Sequence, residues 1–268
     1  MTLLQIFVLA VVQGITEFLP ISSAGHLVLV PVVFGWPDQG VTIDIAVHVG
    51  TLGAVVLYLW REVWMMLVGL ARLAGGRVDE GARLAFHVVI ATIPVLIAGF
   101  LVKTAFPDGI RSALVIGWAF VGFGIILYIS DRNGMTVRRM EHMTVGKALL
   151  IGIAQCFALI PGASRSGTTI TMARMLGFER RDAARFSMLM SIPAIMGAGL
   201  LQGLDLAKSG NAELQASSVV AAALAFVSAF VAILAMMGWL RRASFTPFVV
   251  YRLIVGAAIL WIAYRAVT

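Results

Sequence analysis

The chain has 268 residues, enough for two ordinary soluble domains, but 60% of them are apolar and only 12% are charged. A soluble globule is about 25% charged because its surface must meet water, and with a mean hydropathy of +0.98 this chain could not cover itself. A soluble enzyme, a nucleic-acid binder and a disordered protein are all disfavoured despite the net charge of +7, which leaves an integral membrane protein.

About 20 apolar residues cross a bilayer as a helix. The chain opens on Met1-Thr2-Leu3-Leu4 with no basic side chain before its first apolar run, so a cleaved signal peptide is not expected. Region 3–34 is apolar but broken by Pro20-Ile21-Ser22-Ser23-Ala24-Gly25-His26. Halves of about 10 to 15 residues suit a re-entrant hairpin better than a crossing. Spans are predicted at 41–60, closed by Arg61-Glu62, at 84–102, closed by Lys103, and at 112–130, closed by Asp131-Arg132. Region 145–176 repeats the broken pattern around Pro161-Gly162-Ala163-Ser164-Arg165-Ser166-Gly167, and its single cysteine, Cys156, reads as a small core hydrophobe. Phe178-Glu179-Arg180-Arg181-Asp182 reads as a solvated loop, and three further spans are predicted at 185–202, 217–240 and 247–265. The expected fold is all-α: one membrane domain over 1–268, with six transmembrane helices and two re-entrant helical hairpins.

With both broken regions dipping in and returning, loops 61–83, 131–147, 174–185 and 241–246 share one side and carry fourteen Lys and Arg. The other side, with both termini, carries four: Lys103, Arg111, Lys208 and Arg265. The positive-inside rule then places the first side in the cytoplasm and the termini in the periplasm. The broken regions also align: Gln13 with Gln155, Ser22 with Ser164, Gly25 with Gly167. Three crossings separate them, so the copies enter from opposite faces. This is an inverted-topology repeat, about 1–135 and 145–268, of the kind whose broken helices meet near the midplane and form a site.

An ionisable group inside a membrane costs at least a few kcal/mol, and Glu17, His26 and Arg165 all lie in the broken segments. Gln13 and Glu17 are one helical turn apart on one face. The restarting half-helices would aim free N–H groups and positive dipole ends inward, so that with Arg165 they make an anion site. Glu17 is then a base or a ligand for a divalent cation; Ser22, Ser23, Ser164, Ser166 and Thr169 supply hydroxyls, and Gly162 and Gly167 allow close approach of backbone to phosphate. Such a set suits phosphoryl transfer, where catalysis is positioning and charge neutralisation. A purely structural Glu17–Arg165 pair tying the repeats together is the plainer alternative. His48, four residues after Asp44, serves equally as a substrate contact or as an interhelical hydrogen bond.

At these residues the sequence resembles the undecaprenyl pyrophosphate phosphatases of the BacA/UppP type, associated with bacitracin resistance. Gln13-Gly14-Ile15-Thr16-Glu17 resembles the family's (Glu/Gln)-x-x-x-Glu motif, Ser22-Ser23-Ala24-Gly25-His26 its Ser-Ser-x-Gly-His segment, and Pro161-Gly162-Ala163-Ser164-Arg165-Ser166-Gly167-Thr168-Thr169 its Pro-Gly-x-Ser-Arg-Ser-x-x-Thr motif. The resemblance implies an enzyme of the bacterial inner membrane that hydrolyses undecaprenyl diphosphate to the monophosphate carrier and inorganic phosphate, recycling it for cell-wall synthesis. It implies Glu17 and Gln13 at a divalent cation (Mg2+ or Ca2+), Arg165, Ser164 and Thr169 on the diphosphate, and His26 with Ser22 or Ser23 as nucleophile or proton-transfer groups. Gln13 takes the amide option, so a mechanism with two carboxylates there is not available. Bacitracin is expected to compete for the lipid substrate; no nucleic-acid partner is expected, and a homodimer is left open. The alternative function is a transporter or flippase of an anionic polyprenyl-phosphate lipid.

Overall fold

The computed structural model describes residues 1–105, 112–208 and 211–265. Its elements are helices: α1 (Leu3–Thr16), α2 (Ser23–Phe34), α3 (Gly40–Tyr58), α4 (Trp60–Ala74), α5 (Glu80–Ala105), α6 (Ala113–Asn133), α7 (Val145–Gln155), α8 (Arg165–Met175), α9 (Arg180–Lys208), α10 (Ala212–Trp239) and α11 (Thr246–Arg265), with two short 3-10 turns. Among the described residues five helices are long and apolar enough to cross a membrane: α3, α5, α6, α10 and α11. The sixth predicted span, 185–202, lies inside α9 but α9 is not one of those five. Arg111, expected on the sparsely charged side, lies outside the described residues.

Both broken regions are helical pairs. α1 and α2 are separated by residues 17–22, and α7 and α8 by a 3-10 turn at Cys156–Leu159 and an irregular stretch. The restarts are built alike. Ser22 and Ser164, which align between the two broken regions, are the two non-glycine positions with positive φ among the described residues, 72° and 73°. Each caps its helix by accepting the N–H three residues on, Gly25 and Gly167. Left-handed backbone at a serine costs energy that only an over-determined surrounding sustains. The same strain at both aligned positions argues that the two restarts share one design.

Each hairpin packs on a long helix of the other half: α1 on α10, and α7 on α5. The contacts are backbone-close. A Cβ at Gly14 would stand 2.8 Å from the Ala225 carbonyl oxygen, and one at Gly152 would stand 2.3 Å from that of Ala91. Small residues let helices approach closely where lipid supplies no hydrophobic drive between them. α8 is short and mostly polar, yet Ser166, Thr168, Thr169, Thr171 and Arg174 are all buried. Such a segment is tolerated at membrane depth only inside protein.

One end of the bundle collects all four loops predicted to share the basic side. Buried Asp131 at the end of α6 accepts from Arg174 (2.9 Å), from Arg180 (2.8 Å) and from the Phe245 N–H (3.0 Å). Arg185 pairs with Glu62, and Arg139 with Glu179. This contact pattern agrees with the alternation deduced from charge. Two expectations here are corrected. Residues 178–182 are not a solvated loop: Phe178 and Asp182 are buried, and Asp182 accepts the Met140 N–H, because the turn has to close α8 onto the Asp131 cluster. Loop 61–83 contains the amphipathic helix α4, which buries Met66 and Gly69 and leaves Trp64, Leu67 and Leu70 exposed; such a helix suits a membrane interface. Asp131→Ala strands the fully buried Arg174 and should cost about 3–5 kcal/mol, read as a lowered unfolding midpoint in detergent; an unchanged midpoint would show that the cluster is not needed for stability.

Candidate active site

The two crossovers meet, and Glu17 is where they do. Its carboxylate, with 5% of the side chain exposed, takes the Arg165 guanidinium at 3.0 Å on Oε1. On Oε2 it accepts from the Ser23 hydroxyl at 2.6 Å and the Gln13 amide at 2.9 Å, with His48 Nε2 at 3.5 Å. Repeat one therefore supplies the acid and repeat two the guanidinium. A cavity of about 330 Å³ opens beside the pair, lined by Glu17, Ser22, Ser23, His48, Gly162, Ser164 and Arg165 with the apolar Ile45, Ala158 and Ile195. The starts of α2 and α8 both lie on its wall, so their positive dipole ends add to Arg165. One carboxylate faces a guanidinium and two helix N-termini; the balance favours an anion.

The remaining predicted residues sit around this wall in other roles. Ser166 is turned from the cavity; it donates to the Leu19 carbonyl at 2.9 Å and lies 3.1 Å from Ser164 Oγ, so it fastens one crossover to the other. Thr169 shares a hydrogen bond with Ser187, whose carbonyl receives Arg165 at 3.1 Å, so that it braces the guanidinium from behind. Gly162 has φ +94°, and a Cβ there would stand 2.6 Å from the Ile116 carbonyl oxygen, so only glycine fits. Gly167 gives up its N–H to the Ser164 cap. His26 does not reach the cavity wall: its ring stands 2.7 Å from the Ser22 carbonyl and 2.6 Å from the Tyr251 hydroxyl, stacked on the Tyr251 ring.

The sequence left His48 between two roles and did not single out Arg252. His48 does not pair with the Asp44 carboxylate, which Gln39 holds instead. Its Nδ1 meets the Asp44 backbone carbonyl at 2.6 Å, which turns Nε2 toward Glu17. His48 lies in mid-α3, 31 residues from Glu17 in sequence, so helical periodicity gave no signal of that neighbour. Arg252 in α11 is fully buried and bonded to carbonyls of both crossovers. Its signal was present in the charge count, because Arg165 and Arg252 are the two basic residues that fall within apolar segments rather than at their ends.

A divalent cation has a partial donor set here. Gln13 Oε1 is buried with no hydrogen-bond partner, an acceptor turned to nothing beside the Glu17 carboxylate. No group of three or more His, Cys, Asp or Glu gathers among the described residues. Glu17 and Gln13 thus fit a hard cation as two oxygen donors, too few to cage it by protein alone. In chelator, inorganic phosphate should raise the unfolding midpoint, and Glu17→Gln should reach half of that shift at about tenfold lower phosphate, since a nearby negative charge is gone; equal dependence in both proteins would remove the anion site.

A sequence model described as "Bacitracin resistance protein BacA" matches residues 6–258. The chain is 54% identical to a protein of Rhodospirillum rubrum named "Undecaprenyl-diphosphatase 1", over 98% of this chain and 96% of that one. It is 51% identical to "Undecaprenyl-diphosphatase" of Roseobacter denitrificans, over 98% of this chain and all of the relative, and 46% identical to that of Hahella chejuensis over 99% and 100%. With the matched region spanning both crossovers and every residue around the cavity, the chain belongs to the bacitracin resistance protein BacA family.

Proposed function

We infer that the chain is a membrane phosphatase that hydrolyses undecaprenyl diphosphate to undecaprenyl phosphate and inorganic phosphate, and that it confers bacitracin resistance by this activity. Relatives about 50% identical over the full chain carry that enzyme's name. The observation that carries the chemistry is the buried pocket in which Glu17 holds Ser23 and faces Arg165.

In the proposed reaction the diphosphate enters the cavity against Arg165 and the N-termini of α2 and α8. These donors neutralise the charge that the transferred phosphoryl group carries in flight. Of the two candidate hydroxyls, Ser23 has its proton directly on Glu17, at 2.6 Å, whereas Ser22 Oγ is held as a helix cap. A carboxylate on a hydroxyl is the arrangement of an activated nucleophile. Ser23 Oγ would attack the terminal phosphorus as Glu17 takes its proton, the bond to the bridging oxygen would break, and undecaprenyl phosphate would leave. Water would then release the phosphate from Ser23. His26 shapes the Ser22 turn from behind and takes no proton in this scheme. A divalent cation, held by Glu17, Gln13 and the diphosphate oxygens, would supply charge neutralisation to the leaving group.

We place the protein in the inner membrane with both termini in the periplasm, on the fourteen-to-four distribution of basic residues. Bacitracin, in the same proposal, competes for the lipid diphosphate.

The test is phosphate release from a lipid diphosphate in detergent, where translocation has no meaning. Wild type should be active and lose activity in chelator. Glu17→Ala, Ser23→Ala and Arg165→Ala should each fall by about a hundredfold or more. Arg165→Lys should fall nearly as far, because an ammonium cannot make the forked contact. An active Ser23→Ala protein would transfer the attack to water, and a fully active Glu17→Ala protein would overturn the scheme.

A further inference from the structure

A buried arginine normally has a carboxylate partner. Arg252 has carbonyls. Its Nε donates to Phe120, Nη2 to Ala119 and Gly162, and Nη1 to Pro20 and Ala163, at 2.9 to 3.1 Å. A guanidinium carries five N–H donors in a fixed plane, and here five backbone oxygens receive them. The five come from three places: mid-α6, the first crossover and the second. Pro20 and Gly162 occupy aligned positions of the two repeats, so the fork grips the same point of each. Both grips lie just before residues of the cavity wall, Ser22 and Ser23 after Pro20, Ser164 and Arg165 after Ala163.

The surroundings are built to admit this side chain. Its charge packs against the Phe120 ring at 5.5 Å. Gly124 leaves room beside its stem, where a Cβ would stand 3.3 Å from Arg252 Cβ and 3.5 Å from Nε. Gly167 leaves room at its tip, 3.1 Å from Nη1. Pro20, Gly162 and Ala163 lie outside the helices and are buried, so their carbonyls gain from such a donor.

We propose that Arg252 is a positioning residue for the catalytic pocket, fixing the two crossovers at the spacing that brings Ser23 and Arg165 onto Glu17. This rests on the phosphatase reading and deepens it. Arg252 does not line the cavity itself and reaches its wall only through the Gly162 carbonyl, so its effect should fall on turnover. A misplacement well under 1 Å in a reacting constellation already costs rate, and about 1 Å can cost a hundredfold.

The experiment compares wild type, Arg252→Lys and Gly124→Ala in detergent, each measured for kcat, KM and unfolding midpoint. Lysine keeps the charge but has three donors and no fork. Arg252→Lys should lose kcat by about tenfold or more with KM changed by less than about threefold. Wild-type kcat in Arg252→Lys, or a loss confined to KM, would overturn the proposal. Should Arg252→Lys fail to fold, Gly124→Ala decides. Alanine favours the helix while pushing the arginine stem by a few tenths of an ångström, and the nearest atoms its Cβ would meet all belong to Arg252. It should lower kcat severalfold at an unchanged midpoint; full turnover in it would reduce Arg252 to a folding residue. An inactive wild type would instead reject the phosphatase reading, a separate outcome.

Discussion

The structure turns on one ion pair, Glu17 with Arg165, made between the interruption that follows α1 and the one that precedes α8. Either charge alone would be costly at this depth. Paired at 3.0 Å and surrounded by Ser23, Gln13 and the Ser187 carbonyl, they are tolerable, and each defines where the other crossover must lie. The pair does not exhaust the positive potential, because two helix N-termini and the fork of Arg252 stand behind it. That surplus is what makes the pocket a place for a polyanion rather than a closed structural bridge.

Two crossovers that restart alike carry an asymmetric site. The aligned crossovers share a glutamine, a left-handed serine cap and a glycine. They differ where the chemistry lies. Glu17 aligns with Leu159, and Ser23 with Arg165. The consequence shows in the glutamines: Gln13 donates to Glu17, whereas buried Gln155, lacking a carboxylate at the aligned place, has both amide atoms without a hydrogen-bond partner. The first crossover supplies the acid and the second the cation. The shared backbone geometry brings the halves together without either repeat having to build a site by itself.

The Asp131 cluster does for one end what Arg252 does for the interior. It joins the ends of α6 and α8 to the starts of α9 and α11, so the second hairpin is anchored at its base as well as at its tip. A re-entrant hairpin has no second membrane face to hold it. Its position has to come from such ties and from close backbone contacts like that of Gly152 on α5, which is the physical reason so many polar residues of α8 are buried.

Most of the fold was legible in the chain itself. Apolar length predicts the long helices, the polar interruptions at 20–26 and 161–167 predict the two hairpins, and the placement of arginines predicts which loops share a side, because each of these is a one-dimensional consequence of the cost of putting polar groups in hydrocarbon. The motif residues Glu17, Ser23 and Arg165 were legible for the same reason. What tertiary structure alone decided is which groups face one another. His26, prominent in its motif, turns to Tyr251, while His48, a neighbour of Glu17, gave no sign beyond Asp44. Ser166 and Thr169 brace where hydroxyls facing a ligand were expected. Arg252, in the last helix, reaches both crossovers across 232 and 90 positions of sequence. A membrane sets the cost of each polar residue locally, and so its presence can be read from sequence. Its partner is chosen by how helices distant in the chain pack together, and that is settled only in three dimensions.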